Sequence, residues 1–90
     1  MTKNVTIVWG AITPWNAEKS GALSVRLDHI RSKVQSGATT DVNGKHLDDY
    51  NTVVREWIDQ AAAEEEVAYV RSFAQTYGLD LISVDISDPV

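Results

Sequence analysis

Cysteine is absent from this 90-residue chain, proline occurs twice and glycine five times. Without thiols there is no disulfide, no thiolate nucleophile and no cysteine-ligated metal, and the composition suits a reducing compartment. Basic residues are also short: eight Lys and Arg stand against thirteen Asp and Glu, for a net charge of −5. That balance argues against direct nucleic-acid binding, which needs clustered cations to displace counterions. No run of about 18 apolar residues occurs, so no membrane-spanning helix is expected. Met1-Thr2-Lys3-Asn4 leads into a strand-like run that lacks the apolar length and cleavage site of a signal peptide. A cytoplasmic protein is the expectation. Gly-rich phosphate loops, nucleophile elbows, zinc spacings and internal repeats are all missing, so no cofactor is predicted.

What remains is an ordinary globular composition, 43% hydrophobic and 23% charged. The length predicts a single domain over 1–90, burying roughly 60–65% of the unfolded surface. A core that small is helped by a partner subunit.

Residues 4–12 read as a strand. Val5, Ile7, Trp9 and Ala11 share one face while Thr6, Val8, Gly10 and Ile12 share the other, so both faces are partly apolar, which suggests a central strand or one partly covered on each side. Gly10 inside it hints at a bulge or a close backbone approach. A helix follows over about 17–36, with Leu23, Leu27, Ile30 and Val34 on one stripe and Gly37 as its C-terminal cap. Arg26, Asp28, Arg31 and Lys33 lie off that stripe, and His29 is expected to be exposed. Residues 39–47, with Asn43-Gly44, suggest a short strand or hairpin. Residues 79–87 alternate as a strand, with Ile82, Val84 and Ile86 on one face and Leu81, Ser83, Asp85 and Ser87 on the other.

Between these lies the longest stretch free of Pro and Gly, Leu47 to Tyr77, ended by Gly78. It reads as one long or bent helix. On a helical projection Leu47, Tyr50, Val53, Val54, Trp57, Ile58 and Ala61 centre near ~310°, while Val67, Tyr69, Val70, Phe73, Ala74 and Tyr77 centre near ~125°. Two nearly opposite apolar faces meet at Ala61–Glu66. Either a break there re-aims the second half, or a continuous helix buries its two halves against different bodies, the second most simply another copy of the chain. The Ala and Glu residues of the junction favour continuity.

The expected fold is therefore α+β and two-layered. A small sheet (4–12, 79–87 and a possible piece at 39–47) is covered by helices at about 17–36 and 47–77. The missing strand would come from residues 39–47 or from another subunit, because two strands make a marginal sheet.

Functional candidates are few. His46, Asp48 and Asp49 read as residues at a helix start rather than as metal ligands. Glu64, Glu65 and Glu66 could face a basic partner, although three consecutive residues spread over about 200° of a helix. Trp15 could anchor a surface contact, and Tyr69, Val70, Phe73 and Tyr77 could form an interface. These features predict a small, non-enzymatic interaction protein (adaptor, assembly factor or regulator) that forms a homodimer through the long helix, with another protein as a possible partner. An acidic inhibitor imitating nucleic-acid phosphates is the alternative, and a small dimeric enzyme with its pocket between helices and sheet is the next.

Overall fold

The computed structural model of the chain describes residues 1–10, 21–39 and 52–89, and for Leu23 the backbone alone. Five elements follow in order: β1 (Lys3–Trp9), α1 (Ala22–Ser36), β2 (Thr52–Trp57), α2 (Gln60–Tyr77) and β3 (Leu81–Ser87). The fold is α+β, as the patterning predicts.

The sheet has the order β2-β1-β3 and is antiparallel throughout. Central placement of β1 explains its two apolar faces. Val5, Ile7 and Trp9 point inward and are almost fully buried. On β2 the inward positions are Val53, Arg55 and Trp57, with Val5 opposite Arg55 and Ile7 opposite Val53. On β3, Val84 is buried and Ile86 is half-buried.

The pairing slips between Val8 and Trp9, so that Val8 faces Ser83 while Trp9 faces Leu81. Ile82 is the extra residue of this bulge. Leu81 therefore turns inward beside Val84 and Ile86, and Ile82 points to solvent, 64% exposed. Strict alternation had placed Ile82 on the covered face and Leu81 on the other; the bulge overrides it. Gly10 makes the close approach expected of it, donating its N–H to the Asp80 carbonyl at 2.7 Å. A Cβ at Gly10 would meet the Asp80 carboxylate at 2.0 Å.

The expected helix over 47–77 is corrected in its first half, because Thr52–Trp57 is a strand. Thr52, Val53 and Val54 are β-branched and Trp57 is aromatic, so local preference agrees with the sheet. The alternation was hidden by Arg55, a cation at an inward position. This strand is the third that the sheet required, and it comes from neither 39–47 nor another subunit. The opposed helical faces are explained by the same correction, since residues of β2 were being projected onto a helix. The turn falls at Ile58-Asp59, ahead of the Ala/Glu run, which is wholly helical.

Helix α2 is closed at both ends. The Asp59 carboxylate accepts from the Ala62 N–H at 2.8 Å. Gly78 takes a left-handed φ of +64°, and the Leu79 N–H reaches the Ala74 carbonyl at 2.9 Å. Its buried residues Ala63, Glu66, Val70, Phe73 and Ala74 follow the three-and-four spacing of one face, laid on the sheet. Phe73 sets its edge on Trp9, with centroids 6.4 Å apart at 70°.

Helix α1 begins at Ala22, and residues 17–20 lie outside the described part. Gly37 caps its end as expected. Ile30 is buried and Val34 packs beside the core. Thr39 forms a single bridge to Trp57, and the Ile58 N–H donates to the Ala38 carbonyl at 2.9 Å. The remainder of the expected 39–47 piece lies outside the described residues.

Candidate functional site

Two features stand out above the core: a charged seam between the helices, and the sheet face that neither α1 nor α2 covers.

The seam arises from spacing. Arg26 lies four residues after Ala22 and four before Ile30, so the face of α1 that buries those two buries Arg26 too. Glu66 lies three after Ala63 and four before Val70, which turns it inward on α2. Both side chains are almost wholly removed from water, at 1% and 0% exposure. They meet as a two-pronged pair: Arg26 Nη1 donates to Glu66 Oε1 at 3.0 Å, and Nη2 donates to Oε2. Arg26 Nη1 also lies 3.3 Å from His29 Nδ1. A guanidinium can only donate, so Nδ1 accepts and the imidazole proton sits on Nε2.

His29 stacks on Tyr69, with centroids 3.5 Å apart and planes 4° from parallel. The Arg26 guanidinium lies 5.4 Å from the same Tyr69 ring. Burial, then the positive charges of Arg26 and Lys33, lower the His29 pKa to about 4, with Glu65 opposing. At neutral pH the ring is uncharged and a weak base. Burial raises the Tyr69 phenol above its ordinary range. Lys33 closes the solvent side of the seam by pairing with Glu65 and lowers that carboxyl. Here the sequence-based view of His29 as exposed and Arg26 as off the buried stripe is corrected. The four-residue rhythm Ala22–Arg26–Ile30 was the available signal, masked by reading a charged residue as a surface one.

The acidic run therefore divides by direction. Glu66 is inside with Arg26, and Glu65 pairs with Lys33. Glu64 is exposed and accepts from the Gln60 amide at 3.2 Å. Of the interface candidates on α2, Val70 and Phe73 are buried, and Tyr69 and Tyr77 are half-buried in a ladder through Phe73, at 5.8 and 5.0 Å. Trp15, His46, Asp48 and Asp49 lie outside the described residues. Among the described residues no group of three His, Asp or Glu side chains is placed to hold a metal ion. Likewise no described helix is long and apolar enough to cross a membrane.

The second feature is the outer sheet face. Thr6 faces Val54 on one side and Asp85 on the other; Val8 faces Thr52 and Ser83. Val54 is 49% exposed and Ile82 64%, with Val8 between them in the register. A diagonal apolar strip, Val54–Val8–Ile82, thus crosses three strands inside a frame of Thr6, Thr52 and Ser83. The charges on this face are acidic, Asp85 on β3 and Glu56 on β2, the latter accepting from Thr2 Oγ1 at 3.1 Å. Sequence reading missed the strip because it placed Val54 in a helix and Ile82 in the core.

Compared with known proteins, the chain matches no family model, no curated protein and no solved structure.

Proposed function

We propose that this protein is a small, non-enzymatic interaction module, an adaptor or regulator of the cytoplasm, that presents the open face of its sheet to another protein. The strip Val54–Val8–Ile82, exposed at its two ends and half-buried at Val8, with hydroxyl side chains around it, carries this reading. An apolar centre inside a polar rim is the usual anatomy of a contact surface. The partner is identified by chemistry: an apolar ridge of β-branched size, flanked by Lys or Arg to meet Asp85, which is exposed on β3. The site is small. Three strands at about 4.8 Å spacing offer far less than the ~800 Å² per partner of a standard interface, so binding is transient.

Self-association through the same face is the second reading, favoured by the fit of one β-branched strip to another. It brings the exposed Asp85 carboxylates of two copies onto one surface. Salt separates the two: a basic partner binds more weakly as ionic strength rises, whereas two acidic faces associate more strongly. The acidic-mimic reading has less support, because Glu65 and Glu66 are engaged by Lys33 and Arg26.

A decapeptide alternating Lys and Val serves as the probe, added while backbone amide shifts are followed. Shifts clustered at Thr6, Val8, Val54, Ile82 and Ser83, lost in Ile82→Asp, are expected. Shifts scattered over the surface or centred on α2 would overturn the reading.

A further inference from the structure

Helix α1 is less firmly made than α2. It starts from Gly21 in the left-handed region with no side-chain cap bond, whereas α2 starts on the Asp59 cap. Its interior includes Ser24, Val25, Asp28, Ile30, Ser32 and Val34, all of middling helix propensity, against the Ala- and Glu-rich first half of α2.

The way α1 is held differs too. Ala22 and Ile30 are its buried apolar side chains in the described core, with Val34 packed alongside. Its central contact is the Arg26–Glu66 pair, flanked by Lys33–Glu65 and by His29 on Tyr69. Water treats these contacts differently. Apolar side chains lose on exposure, but a separated ion pair recovers its hydration, which offsets much of what the pairing contributed. Arg26 Nε, buried without a partner in the closed seam, gains one on opening. The far end of α1 is fastened, through Ala38 to Ile58 and through Thr39 Oγ1 to the Glu56 carbonyl. Gly37, at φ +80°, lies between the helix and that fastening.

We infer that α1 is a latch: it opens about Gly37 as a unit, with the Arg26–Glu66 pair as its catch, while α2 and the three strands stay folded. The charged and titratable groups around the catch are His29 and Lys33 on α1 and Glu65 and Tyr69 on α2. Opening bares Glu66 and Tyr69 on α2, a surface separate from the open sheet face. The inference is independent of what that face binds, because its readout uses the protein alone.

Native-state hydrogen exchange of the full chain at pH 7, in rising sub-denaturing urea, tests it. The amides of Ile30, Arg31 and Val34 are expected to exchange at least tenfold faster than those of Val5, Ile7, Val70 and Phe73, with a shallow dependence on urea. Replacing the catch by an apolar contact, Arg26→Met with Glu66→Leu, should slow α1 exchange toward the rate of α2. Arg26→Lys keeps the charge, loses the two-pronged geometry and should speed α1 exchange without changing that of β1. One shared rate and urea slope for α1 and β1 in the unaltered protein would overturn the latch, whether or not the double variant folds. So would Arg26→Lys accelerating both elements equally.

Discussion

Arg26 and Glu66 are tolerable in the interior only because of each other. Removing one leaves an uncompensated buried charge, so Glu66→Ala is expected to cost about 3–5 kcal/mol in urea unfolding. Replacing both with Met and Leu should be neutral or stabilising by about 1–4 kcal/mol. The double change would then restore what the single one loses. His29 contributes a pH dependence of definite sign. Its folded pKa is about 4 against 6.5 for the free side chain. Between those values the unfolded chain binds a proton that the folded protein refuses, so stability present above pH ~6.5 is lost as pH falls toward ~4. Unfolding midpoints from pH 7 to 4 should fall less steeply in His29→Gln, and an unchanged slope would contradict the part-buried His29 as the source. Neither residue was legible as a buried group. The helical stripe was drawn through Leu23, Leu27, Ile30 and Val34, and nothing in α1 itself announces a carboxylate forty positions away that makes burial of Arg26 affordable.

Among the elements, legibility followed how much of the signal was local. Strand β1, the end of α1 at Gly37 and the stop of α2 at Gly78 were all readable, because alternation and a glycine needed at positive φ are properties of a few adjacent residues. Strand β2 was not. Val53, Arg55 and Trp57 alternate with exposed neighbours, but an inward arginine breaks the apolar rhythm, and the absence of Pro and Gly let a helical projection run through it. The boundary signal was Asp59, an N-cap residue two positions after Trp57. Asp59→Ala should cost about 1 kcal/mol and fray the first turn of α2, seen as faster exchange at Ala62 and Ala63. No loss of stability would mean that α2 does not depend on this cap. The bulge at Ile82 was equally hidden, since it is set by pairing with β1 and not by the sequence of β3.

At the scale of the molecule, the two-layer α+β arrangement was readable from element order, and the placement of its surfaces was not. Of the α2 aromatics expected to face another subunit, Phe73 sits on Trp9 of the chain's own sheet and Tyr69 on His29 of α1. What the described elements leave uncovered is the opposite sheet face, whose strip a helical reading of Val54 and a core reading of Ile82 concealed. The charge follows the same pattern: Glu65 and Glu66 tie α2 to Lys33 and Arg26 of α1, and the acids at outward sheet positions are Glu56 and Asp85.

The central claim is that the α2 aromatic face is internal and the Val54–Val8–Ile82 face is spare. The most direct measurement compares the urea unfolding of Phe73→Ala with that of Ile82→Thr. Phe73→Ala is predicted to lose about 3–5 kcal/mol, because a ring packed on Trp9 leaves a cavity. Ile82→Thr should stay within about 0.5 kcal/mol of the unaltered protein, as a solvent-facing substitution does. The reverse ranking, with Ile82→Thr the costly change and Phe73→Ala nearly silent, would contradict the account.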